Sequence, residues 1–229
     1  MDIQTYQQLS ALVADKIIAQ IRQKPDCCLG LPTGHTPIGT YQSLAQQSAG
    51  GQVDWSRVRC FALDDYLEVD ASFSFQNFLQ SNLYDKVNVS SQNLFNPTMV
   101  DNYDGLIEAN GGLDLTILGI GANGHIAFNE PGTCLQSWTH CSFLTSSTKL
   151  ANQDAFGSAP VPDRGITMGI KTIMESRSIT LIASGEKKRG IVESAFRGPV
   201  TNEVPASLLQ KHRTLSVITD FGFMLSTAN

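Results

Sequence analysis

Between Gly112 and Gly132 the chain reads GLDLTILGIGANGHIAFNEPG, and this segment carries the densest chemistry in the sequence. The apolar run Leu115 to Leu118 has the pattern of a buried parallel strand, and it leads into Gly119, Gly121 and Gly124. His125 follows the last glycine and Glu130 comes shortly after. The pattern reads as chemistry at a strand end, with glycines that let the backbone approach a ligand while His125 and Glu130 face it. A tight turn carrying a surface histidine is the alternative. The G-x-G-x-x-G spacing imitates a dinucleotide fingerprint, but that motif needs a helix opening at its third glycine to hold a pyrophosphate. Pro131-Gly132 marks a turn soon after Gly124, and no acidic residue stands at the expected ribose position. The nicotinamide reading is rejected on those grounds.

Three other segments offer groups of matching character. Thr33, Gly34, His35 and Thr36 follow a strand and precede Pro37. Hydroxyls and free N–H groups at a helix N-terminus make an anion site, and a phosphate would fit there. The alternative is structural, with Thr36 as helix cap and Pro37 at the first helical position. Asp64 ends the apolar run Phe61-Ala62-Leu63 and would sit at the mouth of a sheet, where partial burial would tune it for proton transfer. Adjacent residues point apart, so Asp65 is expected to cap a turn. Lys187, Lys188 and Arg189 open a helix after Gly185, where cations oppose the dipole, which lends weight to phosphate binding. Arg164 is a similar candidate, read as the start of another helix.

These groups need elements to position them. Leu9, Leu12, Val13, Ile17, Ile18 and Ile21 recur at helical spacing and predict an opening amphipathic helix that ends near Lys24-Pro25. Strands are expected at Cys27 to Leu31, Val58 to Leu63, Leu113 to Leu118, Ile179 to Ala183 and Leu215 to Thr219. Helices are expected after Thr36 and over Phe73 to Leu83, Gly165 to Met174 and Lys187 to Phe196. The alternation predicts an α/β fold, a single Rossmann-like domain over residues 1–229 with an open, mainly parallel sheet and helices on both faces. Ligands then bind outside the carboxyl ends of the strands, where the polar loops would meet.

Composition narrows the function. A formal charge of −5 offers no basic footprint for nucleic acid, and no apolar run is long enough to span a bilayer. The N-terminus MDIQTYQQLS lacks a signal-peptide layout, so a cytoplasmic protein is expected. Five scattered cysteines, and four histidines without i, i+4 pairing, form neither a disulfide framework nor a zinc pattern. The expectation is a small-molecule enzyme without metal or cofactor.

LPTGHTP, FALDDYLEV and LGIGANGHIAFNEPG together resemble the glucosamine-6-phosphate deaminase (isomerase) family, and RGITMGIKTI, SGEKKRG and VPASLLQKH extend the likeness over nearly the whole chain. PVPDRGIT and EVPASLLQKH are also similar to the galactosamine-6-phosphate branch. The resemblance implies that an amino-sugar 6-phosphate and water give a ketose 6-phosphate and ammonia. It implies that His125 moves a proton to and from the ring oxygen, that Glu130 orients it, and that Asp64 moves a proton from C2 to C1. Phosphate would lie against Thr33 to Thr36, with Lys188 reaching across and Arg164 as a further candidate. Asn123 stands where some members carry an aspartate beside the histidine. His35 occupies a position that is small in the family, and Asp154 lies where larger deaminases carry an arginine for phosphate. Without a long C-terminal extension, a monomer or small homo-oligomer without allosteric activation is expected. The glucosamine epimer is preferred. A sugar-phosphate lactonase and a non-catalytic sensor are the other readings, and both fit the retained Asp64, His125 and Glu130 less well.

Overall fold

Thr5 opens the fold by accepting the N–H of Gln8 as a helix cap, and the apolar stripe behind it becomes α1, Tyr6–Gln23. In the computed structural model, which describes residues 3–227, there follow β1 (Cys28–Leu31), α2 (Ile38–Ala49), β2 (Arg59–Ala62), β3 (Asp64–Tyr66) and α3 (Phe75–Asn82). The next elements are β4 (Leu94–Phe95), α4 (Tyr103–Ala109), β5 (Leu115–Leu118), β6 (His140–Phe143) and α5 (Ser146–Phe156). The chain ends with β7 (Arg164–Thr167), α6 (Ile170–Met174), β8 (Ile179–Ala183), α7 (Arg189–Arg197), β9 (Leu215–Thr219) and β10 (Met224–Ser226).

Seven strands form the main sheet in the order β10-β9-β8-β5-β1-β2-β4, parallel apart from the antiparallel β10. β1, β5 and β8 are buried along their whole length, which is why they read as unbroken apolar runs. One core, with Leu9, Val13, Ile17, Tyr41 and Trp55, fills the face under α1 to α3. A second, with Ile107, Ile173, Val192 and Leu209, fills the face under α4, α6 and α7. Helices on both faces of a mainly parallel sheet are the expected α/β architecture. From β1 the chain builds outward through β2 and β4, then returns to place β5, β8 and β9 on the other side of β1. The winding reverses between β1 and β5, and loops leaving the carboxyl ends at such a reversal diverge and leave a crevice.

A second sheet, β3-β7-β6, is antiparallel and was not anticipated from the sequence. β3 continues the path of β2 past Leu63, and Asp64 pairs with Thr167. This corrects the expected helix over Gly165 to Met174. Ile166, Ile170 and Ile173 imitate helical spacing, but the first part of the segment bonds to strands on both sides, and the helix begins only at Ile170. Gly165 fits because a Cβ there would come 2.5 Å from the Phe128 ring, so this strand needs a bare backbone.

Candidate active site

A cavity of about 670 Å³ opens at the reversal between β1 and β5. Its floor and walls include Thr33 to Thr36 after β1, Asp64 at the start of β3, Gly119 to Asn123 and His125 after β5, α5, and Lys188 before α7. Groups separated by more than a hundred residues therefore face one space because their strands share a sheet.

The loop after β5 holds its histidine by local bonds. No helix opens at Gly124; Gly121 N–H donates to the His125 carbonyl at 2.9 Å and Gly124 N–H to the Gly121 carbonyl at 3.0 Å. A Cβ on Gly121 would collide with the imidazole, and Gly124 takes φ +86° with Val204 packed against it. The glycines thus serve the close approach of a side chain and of a neighbouring segment.

The ring's protonation follows from a chain of hydrogen bonds. Asn123 Nδ2 donates to Glu130 Oε2 at 2.7 Å, and a carboxylate can only accept, so the amide orientation is fixed. Asn123 Oδ1 is left 2.7 Å from His125 Nδ1 and must accept its proton. The neutral imidazole is therefore the Nδ1–H tautomer, with the Nε2 lone pair available as a base. Glu130 Oε2 also lies 3.7 Å from Nδ1, and its other oxygen accepts Thr145 N–H at 3.2 Å. Burial pushes the His125 pKa below the ordinary histidine value; Glu130 opposes that shift and Lys188 adds to it.

Asp64 and Asp65 point apart, as alternating strand residues must. Asp64 lines the cavity, and burial, reinforced by the charge of Asp65, holds its carboxyl well above the usual carboxylate range. Asp65 turns the other way and accepts the N–H groups of Tyr66, Phe75 and Gln76 and the amide of Asn96, at 2.7–3.0 Å. It has the structural role expected of it, but in place of the next turn it serves α3, ten residues away, accepting the first two N–H groups of a helix whose cap residue is Ser74.

The phosphate candidates separate. Thr33, Gly34, His35 and Thr36 all line the cavity. Thr36 does not cap α2. Pro37 occupies the cap position, and the Gly39 N–H is satisfied at 2.7 Å by the hydroxyl of Tyr6 reaching over from α1. Lys188 also lines the cavity; its ammonium donates to the Ile120 carbonyl at 2.7 Å, and burial lowers its pKa. Arg164 is not brought to the cavity. It sits on β7 rather than at a helix start and pairs with Glu68 at 2.7 Å on the surface, because the neighbouring antiparallel strand brings that glutamate alongside. Asp154 is exposed and does not line the cavity.

Sequence reasoning missed α5 and its hydroxyls. Thr145 caps this helix and donates to Glu130 Oε2 at 3.2 Å, while Thr148 Oγ1 lies 3.2 Å from His125 Nδ1. A threonine before Ser146-Ser147-Thr148 is a cap signal that the sequence did offer. Nothing local pointed to its contact with a histidine twenty-three residues upstream. Asn129, next to Glu130, is a brace: its amide donates to the carbonyls of Ile126 and Met168 at 3.0 and 2.8 Å.

An imidazole with one nitrogen free to act as base and a carboxyl of raised proton affinity share one cavity at the reversal of a parallel sheet. That combination defines an α/β protein built for acid–base chemistry on a small polar ligand. A family model described as glucosamine-6-phosphate isomerases/6-phosphogluconolactonase matches residues 2–218, and the chain belongs to that family. It is 43% identical to glucosamine-6-phosphate deaminase 2 of Bacillus subtilis (strain 168), over 94% of this chain and 92% of the relative. It is likewise 43% identical to the glucosamine-6-phosphate deaminase of Lachnoclostridium phytofermentans, over 95% and 97%. A solved monomeric glucosamine-6-phosphate deaminase superposes with TM-score 0.91 at 34% identity, covering 96% of this chain and 95% of that one. The 6-phosphogluconolactonase of Trypanosoma brucei shares the fold, with TM-score 0.73 and 18% identity over 96% and 94%. Among the described residues no cluster of His, Cys, Asp and Glu could hold a metal ion, and no helix is long and apolar enough to cross a membrane.

Proposed function

We propose that the protein is a glucosamine-6-phosphate deaminase, converting the amino-sugar phosphate and water to fructose 6-phosphate and ammonia. The observation that carries the reading is the pairing, in one cavity, of His125 with a free Nε2 and Asp64 with a raised pKa. Lactone hydrolysis needs one base to activate water, whereas deamination needs a second group to move a carbon-bound proton. Identity above 40% to proteins named as deaminases supports the same reading.

In this mechanism Nε2 of His125 takes the proton of the C1 hydroxyl and returns it to the ring oxygen, which opens the sugar to the aldehyde. Asp64, ionised, removes the C2 proton while the C1 oxygen takes up a proton to give an enolamine, and it then returns its proton to C1 as the amine nitrogen gives one up, leaving the C2 imine. A carboxyl held above its usual pKa is a stronger base for a carbon acid than an ordinary aspartate, and it holds the proton long enough to return it. Water adds to C2 of the imine, the C2–N bond breaks, and the nitrogen leaves as ammonia while C2 becomes the ketone carbonyl. The phosphate lies against Thr33 to Thr36, where backbone N–H groups, His35 and Lys188 receive its charge. Binding energy gathered at the phosphate positions C1 and C2 between the two proton-transfer groups.

Two further features belong to the reading. The protein acts as a monomer in the cytoplasm, in keeping with a relative of the same fold whose solved form is monomeric. The test is ammonia release from glucosamine 6-phosphate and galactosamine 6-phosphate measured in parallel, without added metal or nucleotide. Release from the first is expected; release from the second alone moves the assignment to the other epimer. Hydrolysis of a sugar-phosphate lactone without ammonia release would overturn the reading.

A further inference from the structure

α5 does more than wall the cavity. Its cap residue Thr145 accepts the N–H of Thr148 at 3.3 Å, which fixes two hydroxyls on one face of the first turn. Thr145 Oγ1 lies 3.2 Å from Glu130 Oε2 and 3.2 Å from Thr148 Oγ1, and Thr148 Oγ1 lies 3.2 Å from His125 Nδ1. Since the carboxylate can only accept, the direction of the chain is set. The Thr145 hydroxyl donates to Glu130 and the Thr148 hydroxyl to Thr145. A lone pair on Thr148 is left facing the Nδ1 proton that Asn123 Oδ1 also accepts.

We propose that Thr148 is a positioning residue for His125, its hydroxyl serving as a second acceptor for the Nδ1 proton and tying the histidine's protonation to the seating of α5. The proposal deepens the acid–base reading above and rests on it for the kinetic part of its test. Asn123 is neutral, so imidazolium gains its stabilisation from the charge of Glu130 and from acceptors aligned toward that charge. A hydrogen bond from a cation is roughly twice as strong as one between neutral groups, so Thr148 favours the protonated ring. Thr148 is only 1% exposed, so its contact with the ring is weakly screened. The charged groups acting on His125 are Glu130, on its own loop, and Lys188, before α7, which opposes protonation. α5 adds no competing charge beside the ring, since Lys149 is turned to Asp163 at 2.7 Å. The same helix lines the cavity with Ala151, Asn152 and Phe156, so a ligand that presses on α5 acts on His125 through Thr148.

The test uses the full chain and compares Thr148→Val, which keeps the shape, with Thr148→Ser, which keeps the hydroxyl. Thr148→Ala is measured beside them in case the valine does not pack. The ¹⁵N chemical shifts of His125 are followed against pH in each folded variant. Loss of the hydroxyl is expected to lower the His125 pKa by about half a unit to one unit and to reduce the Nδ1–H share of the neutral ring, with serine restoring both. In turnover of glucosamine 6-phosphate, the acid limb of kcat/KM should move to lower pH by the same amount, with KM little changed. An unmoved His125 titration in the valine and alanine variants overturns the proposal, and so does a serine variant that behaves like valine. The NMR titration needs no turnover, so a failure of the deaminase reading and a failure of Thr148 are told apart.

Discussion

Glu130→Gln removes the negative charge that keeps His125 within reach of protonation. Oε2 and Nδ1 are 3.7 Å apart, and the two side chains are only 7% and 18% exposed, so solvent screens the pair weakly. Coulomb's law at an effective dielectric of about 20 gives about 4.5 kcal/mol for this separation, an upper bound of about 3.3 pH units on the His125 pKa. Local relaxation and the neutral hydrogen bond that glutamine can still accept from Asn123 reduce this, and a fall of about 1–2 units is expected. Burial and Lys188 already hold the pKa down, so the loss of Glu130 leaves both unopposed. In the proposed mechanism the imidazolium returns a proton to the ring oxygen; it then becomes scarce, and kcat from the cyclic sugar should drop about 10²-fold. An open-chain analogue, which bypasses ring opening, should lose much less. The assay is a ¹⁵N titration of His125 joined to the pH profile of ammonia release. A folded variant whose His125 titrates within about half a unit of the parent would refute the electrostatic argument.

Asp64→Asn should cut deamination by about 10²–10⁴-fold, with nearly unchanged binding of the sugar phosphate by calorimetry. It should also raise Tm at neutral pH. The folded pKa of Asp64 lies above its unfolded value, so ionising it costs stability as pH rises from the unfolded toward the folded pKa, and asparagine abolishes that cost. Equal Tm values for parent and variant at pH 7 would argue against the raised pKa. Lys188→Met should raise KM for the phosphorylated sugar by about 10²-fold and His35→Ala by about 3–10-fold, each with a smaller change in kcat. Inhibition by inorganic phosphate gives an independent reading of both. Asp65→Asn turns an amide toward donors and should cost about 2–3 kcal/mol, lowering Tm by about 4–12 °C in a thermal melt.

Much of the site was legible in the sequence because its groups sit where parallel strands end. The apolar runs before Thr33, Asp64 and Gly119 are strands buried on both faces, and burial on both faces leaves a signature that needs no partner to be seen. The helical stripe of α1 and the polar loop after β1 were equally plain. Arg164 was misplaced because its segment sits in a three-stranded antiparallel patch. There, Ile166 answers to cross-strand neighbours and Gly165 packs under Phe128, and only Ile170 and Ile173 belong to the helix that follows. Thr36 looked like a cap because local sequence cannot reveal a tyrosine hydroxyl arriving from another helix.

By itself the sequence marked the candidate proton-transfer groups and the strands that deliver them: His125, Glu130 and Asp64 stand out by their types and by the glycines and apolar runs beside them. Only the tertiary structure decided how those groups are tuned. The tautomer of His125 depends on Asn123 being held by Glu130, and the approach of Thr148 depends on α5 folding back over the loop after β5. The pKa of Asp64 depends on a burial that the second sheet completes. Proton affinity is a property of surroundings, set by distance and dielectric, and neither is written in the order of residues along a chain.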